Sequence, residues 1–347
     1  MTCNRPGCDN PVPEERGETA KYCSTGCQHK RRTAPVEAKH CATCGDVFTP
    51  YKGDQKWCDN CRDGRRRERQ KVTVPADAQM EKLIRYYQTR DSISIDDAPE
   101  GSKVVVLSDL QIPFVDLALE AARDQFIGEW QPDYIIYNGD CMDCYELSSF
   151  DKNPNRMFDL EDEQEQTRKM LRHHKSITNA KLYWIDGNHE DRLQRVIWKH
   201  AQGFAHMVKD LPEALELDKF CEAYLPYGKH IEFLGFIITH GTIARMHSAY
   251  TAKAMIDRYR SSGCSGHTHR IGSHSVTDSR GVSATWYECG FGARMDLEYA
   301  KAPPNWQQGF LCAVVAGGAL HPQLVRVIET GKGRGFYAQG QYYAIKK

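Results

Sequence analysis

The run KVVVLSDLQIP occupies residues 103–113. Its unbroken β-branched stretch is what a strand covered on both faces requires, and such strands belong to parallel sheets flanked by helices. The run ends in Ser108 and Asp109, so a carboxylate stands at the carboxyl end of the strand. Downstream, Leu119, Ala122, Phe126 and Trp130 recur at helical spacing, and YIIYNGDCMD then supplies a second apolar strand ending at Gly139 and Asp140. A polar helical stretch over about 160–177, with 161–175 expected as a charged solvated face, leads to KLYWIDGNHEDR. This third strand ends in Gly187, Asn188, His189 and Glu190. Strands alternating with helices predict right-handed βαβ units, and ligands of such sheets gather at the carboxyl ends of the strands. All three polar clusters therefore fall on one rim of an α/β domain.

Two more clusters follow. IEFLGFIITHG is an apolar run ending at His240, and SGHTHR sets His267 and His269 two residues apart. If residues 267–269 are extended, both imidazoles project to the same side. Asp109, Asp140, Asn188, His240, His267 and His269 offer oxygen and nitrogen donors, a set that fits two divalent ions such as Mn, Fe or Zn better than soft copper or an all-oxygen calcium site. Taken singly, His240 would be a capped strand end and Asp109 or Asp140 a turn carboxylate. Only the ensemble points to metal.

These motifs make the chain resemble the calcineurin-like metallophosphoesterase superfamily. The resemblance rests on Asp109 in SDLQ, GDCMD at 139–143 for the family's GDxxD, GNHE at 187–190, His240 in THG and GHTH at 266–269, in the family's order. The strings GNHEDRL, LSSFDKNP and PNWQQGF are similar to a subgroup often carried by bacteriophages. The resemblance implies a four-layer αββα sandwich over residues 101–347 with two metals at the sheet rim. Mn is the expected metal, with Fe, Ni or Zn as alternatives. It implies that Asp109, Gln111 and His269 hold one ion, Asn188, His240 and His267 the other, and that Asp140 bridges them. His189 is then the general acid and Asp143 orients it, while a metal-activated water attacks the phosphorus in line.

The chain departs from the pattern in two places. Gln111 stands where the family usually has His, and an amide oxygen is a weaker, neutral ligand, so coordination and a supporting role both stay open for it. Cys144 and Tyr145 follow the GDxxD motif where protein Ser/Thr phosphatases have Arg and Gly, which argues against that substrate arrangement. Arg192 and Arg270 adjoin the metal motifs and are candidates for a substrate phosphate, or for pairing with a structural carboxylate. Cys141 and Cys144 read as local packing. Residues 193–230 form an insertion expected to wall the site.

Eight of the fourteen cysteines fall in the first 61 residues. Cys41 and Cys44, then Cys58 and Cys61, form two CxxC turns of the kind that complete a tetrahedral sulfur shell for structural zinc. Cys3, Cys8, Cys23 and Cys27 form a looser second set, with His29 or His40 as alternative ligands. Residues 1–64 thus predict two zinc-ribbon or treble-clef-like modules that fold around metal, two structural Zn in all. Residues 65–100 read as a basic linker and helix, the latter in AQMEKLIRYYQTR. Residues 1–75 carry 15 Lys and Arg against 10 Asp and Glu, whereas the rest carries 31 against 36, so a zero net charge conceals a basic head and an acidic body. The run from Arg62 to Lys71 predicts salt-sensitive contact with nucleic-acid phosphates.

No run approaches the roughly 18 apolar residues of a membrane span, and MTCNRPGCDN has no apolar signal stretch. A cytoplasmic address in a bacterial or phage-infected cell is expected, with no membrane partner. The leading functional expectation is a dinuclear-metal phosphodiesterase or nuclease acting on nucleic acid. A phosphomonoesterase or small-nucleotide phosphodiesterase is the alternative within the enzyme class. A non-catalytic, zinc-dependent nucleic-acid-binding protein is the alternative outside it.

Overall fold

The computed structural model describes residues 92–149, 153, 158–297, 304–331 and 333–346, together with positions 2, 10–12, 14, 38–42, 44, 46–50, 56 and 58. The chain divides into two compact units, Met1–Tyr86 and Tyr87–Lys347. In the first, β1 (Lys39–His40) pairs antiparallel with β2 (Val47–Phe48), and the Cys41 amide donates to the Asp46 carbonyl at 2.8 Å across the turn. Cys3, Cys8, Cys23, Cys27, Cys61, His29, the basic run 62–71 and the expected helix 78–90 lie outside the described residues.

The second unit opens with β3 (Ser92–Ile95) and β4 (Lys103–Leu107). It continues through α1 (Leu117–Trp130), β5 (Tyr134–Asn138), α2 (Leu160–Ile177), β6 (Lys181–Ile185) and α3 (Asp191–His200). Two single turns, α4 (Leu211–Ala214) and α5 (Leu217–Phe220), precede β7 (Cys221–Leu225), β8 (His230–Phe233) and β9 (Phe236–Thr239). After α6 (Tyr250–Tyr259) come β10 (Gly263–Ser265), β11 (Ile271–Thr277) and β12 (Ser283–Cys289). β13 (Gly309–Ala316), β14 (Ala319–Thr330), β15 (Gly333–Ala338) and β16 (Gln341–Ile345) close the unit.

Eight strands form one sheet in the order β16-β15-β14-β13-β4-β5-β6-β7, and six form the other, β11-β12-β10-β9-β8-β3. β4, β5, β6 and β7 run parallel, as the βαβ reading requires. Alternate residues of each central strand serve different layers. Val105, Leu107, Ile135, Tyr137 and Trp184 pack outward with Phe126 of α1 and Leu171 of α2. Val104, Val106, Ile136 and Ile185 face the second sheet, meeting Phe233 and Ile238. α6 covers the far side of that sheet through Met255 and Ile256 against Trp286. The result is the αββα sandwich. Both faces of β4 are sealed, which explains its unbroken apolar run: each fully buried Val contributes roughly 1.5–3 kcal/mol.

Two local expectations change. Residues 65–100 were expected to be linker and helix, but Ser92–Ile95 is a strand of the second sheet, parallel to β8. Its inward Ile95 is buried, and a four-residue SISI between polar neighbours is too short to stand out from a linker. α2 is not simply a solvated face. It starts with a capping box between Asp159 and Asp162, and it buries Glu163, Thr167, Met170, Leu171 and His174. His174 ties α2 to the sheet and to α1, its Nδ1 2.6 Å from the Tyr137 hydroxyl and its Nε2 3.0 Å from Asp124. The insertion after GNHE ends in β7, the edge strand of the eight-stranded sheet.

Candidate metal centre

The loops leaving β4, β5, β6, β9 and β10 meet at one rim. Backbone bonds lock the first two together, the Asp109 amide donating to the Gly139 carbonyl and the Gln111 amide to the Asp140 carbonyl, both at 3.0 Å. Asp109, Gln111, Asp140, His267 and His269 all have φ between +49° and +70°, the left-handed region. Such backbone costs about 1–3 kcal/mol per non-glycine residue and persists where surrounding structure enforces it, often at functional sites. It also overturns the extended geometry considered for residues 267–269. The loop bends, the Thr268 amide donates to the Gly266 carbonyl at 2.8 Å, and the Thr268 hydroxyl turns away to Glu288 at 2.9 Å.

The donors fall into two groups. In one, ligand atoms of Asp109, Asp140 and His269 lie within 4.8 Å of one another, and in the other so do those of Asp140, His240 and His267. Asp140 belongs to both. His269 Nε2 is 3.2 Å from Asp109 and 3.4 Å from the Gln111 side-chain amide nitrogen. A half-turn of that amide, whose two ends are assigned from hydrogen bonding, would bring its oxygen to the same place. His240 Nε2 lies 3.2 Å from both the Asp140 carboxylate and the Asn188 carbonyl oxygen. Its Nδ1 donates to the Asn138 carbonyl at 2.9 Å, so Nε2 is the ring atom turned into the site, able to bind an ion once its proton is displaced.

Two glycines permit this convergence by lacking a side chain. A β-carbon on Gly187 would lie 2.0 Å from an Asp140 carboxylate oxygen, and one on Gly266 would lie 2.3 Å from an Asp109 oxygen. Glu190 completes the frame from below. It is buried, and its two oxygens accept the amides of Asp140 at 2.9 Å, Met142 at 2.9 Å and Gly187 at 2.8 Å. Sequence reasoning quoted Glu190 within GNHE but gave it no task.

His189 stands beside the groups. Its amide donates to Asp140 at 2.9 Å, and its ring Nε2 is 3.6 Å from the other Asp140 oxygen. Nδ1 approaches Asp143 twice, the backbone carbonyl at 2.9 Å and a carboxylate oxygen at 3.1 Å. The same carbonyl accepts from Arg192 at 2.7 Å. Arg270 donates to the backbone carbonyls of Asn305, at 3.2 Å, and Arg245. Part of each guanidinium is therefore spent on the frame.

The electrostatics follow from close packing of opposite charges. Burial alone would raise the Asp140 pKa, but His189 and His240 hold it well below the carboxylate range. Burial likewise works against the His240 imidazolium, yet Asp140 pushes its pKa up to about 10. His267 is lowered, by burial and then by His240. Burial would lower His189 too, but Asp140 and the bond to Asp143 raise it. The Cys141 and Cys144 thiols are pushed up by burial and stay protonated packing groups.

The donor chemistry fits divalent ions: anionic and imidazole ligands converge, and the buried Nδ1 atoms of His267 and His269 have no hydrogen-bond partner among the described residues. In the N-terminal unit, sulfur atoms of Cys41, Cys44 and Cys58 also lie within 4.8 Å of one another, with Cys44 and Cys58 3.7 Å apart. That arrangement fits a thiophilic ion such as zinc.

The sequence profile described as calcineurin-like phosphoesterase matches residues 102–270. The Gene 54 protein of Mycobacterium phage L5 is 30% identical over 242 residues, covering 66% of this chain and 94% of that one. The chain belongs to the calcineurin-like phosphoesterase family. The Gene 54 protein of Mycobacterium phage D29 is 32% identical over 247 residues, with 66% and 94% coverage, so this calcineurin-like phosphoesterase is of the phage type. Among solved structures, Chaetomium thermophilum Vps29 is similar with a TM-score of 0.38 and 12% identity over 71% of this chain and all of that one. A Vps29 single mutant from Entamoeba histolytica gives 0.37 and 9% over 68% and 97%. The family hydrolyses phosphoesters with divalent metal. Among the described residues, no helix is long and apolar enough to cross a membrane.

Proposed function

We propose that the protein is a dinuclear-metal phosphodiesterase that acts on nucleic acid in the host-cell cytoplasm. The observation that carries the reading is the membership of Asp140 in both ligand groups. Asp109, Gln111 and His269 would hold one ion, Asn188, His240 and His267 the other, and Asp140 both. When bound, two divalent ions, Mn by preference, would supply charge neutralisation at the phosphoryl oxygens and a lowered pKa for the attacking water.

The chain's own residues do the rest. His189 delivers a proton to the leaving alkoxide from Nε2, the ring nitrogen opposite the one held by Asp143. In the metal-free site, against burial, Asp140 and the bond to Asp143 raise its pKa, and the bond to Asp143 is the one of these that does not draw on the carboxylate shared by the ions. Asp143 holds the ring through carbonyl and carboxylate together. Glu190 and the two glycines keep the Asp140 and Asp109 carboxylates where the two ions would need them. In the N-terminal unit, zinc on the cysteine sets would order modules that bring the Arg62–Lys71 run to a phosphate backbone.

The test is hydrolysis of an aryl phosphodiester and the matching monoester by metal-stripped protein reloaded with Mn. Diester cleavage falling about 10³-fold in Asp140→Asn supports the reading, because losing the shared ligand forfeits several kcal/mol of charge stabilisation. Preference for the monoester replaces it with a phosphatase. Absence of turnover with Mn, Fe, Ni or Zn replaces it with a non-catalytic nucleic-acid-binding protein.

A further inference from the structure

The insertion over residues 193–230 returns to the metal centre at its end. β7 stops at Leu225, and the turn 226–229 follows, closed by the Lys229 amide on the Pro226 carbonyl at 3.2 Å and by a φ of +85° at Gly228. Two bonds fasten this turn between the segments that carry the second ligand group. On one side the Asp186 amide, two residues before Asn188, donates to the Leu225 carbonyl at 2.8 Å. On the other the hydroxyl of Thr239, the chain neighbour of His240, donates to the Lys229 carbonyl at 2.9 Å. Tyr227, in the middle of the turn, is thereby held against the centre. Its ring lies edge to face with that of His240, centroid to centroid 6.1 Å.

A ring alone would suffice to cover His240. The phenol adds a donor, and none of the described residues takes it up in a hydrogen bond. Burial, then Asp140 and Asp191, raise the pKa of this half-buried phenol while Arg195 and Arg258 oppose them, which sets the hydroxyl within reach of the shared carboxylate and of two guanidinium groups. Arg195 is exposed and 4.0 Å from Asp191, and Arg258 donates to the Thr242 hydroxyl at 2.9 Å. Donors for a phosphoryl oxygen are otherwise few at this rim. Arg192 and Arg270 both give bonds to backbone carbonyls, and Cys144 is a buried thiol. A phenol is protonated at neutral pH, and a hydrogen bond from it to an anionic oxygen is stronger than one to a neutral acceptor.

We infer that Tyr227 is a catalytic residue whose hydroxyl donates to a phosphoryl oxygen of the ester bound at the group of Asn188, His240 and His267. The inference rests on the phosphodiesterase reading and deepens it. The insertion supplies a contact to the reacting group as well as a wall, and the contact recognises the phosphoryl group itself.

The test is Tyr227→Phe, which keeps the ring over His240 and removes only the hydroxyl. Two quantities are read on the Mn-loaded full chain: the affinity for inorganic phosphate by isothermal titration calorimetry, and kcat/KM on an aryl phosphodiester. Both should fall about tenfold or more, the size of one hydrogen bond to a charged group, while Mn affinity and Tm match those of wild type. Phosphate affinity and kcat/KM unchanged in Tyr227→Phe overturn the contact, and wild-type turnover then keeps the phosphodiesterase reading. A fall accompanied by an equal loss of Mn affinity also overturns it, because Tyr227 would then act through the ligands. A fall in phosphate affinity in a protein whose wild type turns over no diester keeps the contact and removes the phosphodiesterase reading instead.

Discussion

The two candidate ligand groups share Asp140 but are built from different chemistry. On the proposed assignment the first adds a carboxylate, an amide and one imidazole, from Asp109, Gln111 and His269, and the second an amide and two imidazoles, from Asn188, His240 and His267. Carboxylate and carbonyl oxygens suit Mn or Mg, whereas imidazole suits Zn, Fe or Ni. The halves are also held differently: Asp109 receives the His267 amide on both oxygens, at 3.1 and 3.0 Å, while His240 is oriented by the Asn138 carbonyl. On the proposed assignment one frame would offer a harder and a softer position side by side, with the Asp109 carboxylate and Gln111 in place of His both setting the first apart.

The largest effect should come from breaking what the halves share. Glu190→Ala leaves the amides of Asp140, Met142 and Gly187 buried without their acceptor. It should cost about 3 kcal/mol or more, a fall of roughly 6–12 °C in Tm measured on metal-free protein. Metal binding at both positions should weaken together. If one half alone loosened, the frame would not be common to them.

A smaller change should erase the contrast. Gln111→His gives the first half a second imidazole, and competitive titration should show its preference moving from Mn toward Zn by about tenfold. An unchanged preference would mean that residue 111 touches no metal.

The gentlest probe is pH. His240 titrates near 10 in the metal-free site, so at neutral pH an incoming ion must displace its proton. The sign is fixed: a raised pKa means stronger proton competition as pH falls. Affinity at the second half should drop about tenfold per pH unit between pH 8 and 6. His240→Gln should flatten that slope, as followed by isothermal titration.

The sequence exposed much of this centre because each strand end carries its donors in a contiguous motif, and the positions that converge are the ones GDCMD, GNHE, THG and GHTH supply. What it hid was set by packing between distant segments. Tyr227 meets His240 across an intervening β-hairpin, so no local spacing signals it. Glu190 stands in GNHE with no visible task, because the amides it accepts belong partly to the loop after β5, about fifty residues earlier in the chain. The bend at His267 and His269 depends on left-handed backbone that residue identity alone does not announce.

The most direct test of a shared carboxylate is electron paramagnetic resonance of the Mn-loaded protein. Two ions held by one Asp140 should give the spectrum of a spin-coupled pair, and Asp140→Asn should convert it to that of isolated Mn. A wild-type spectrum of isolated Mn at full occupancy, unchanged by Asp140→Asn, would contradict the dinuclear centre.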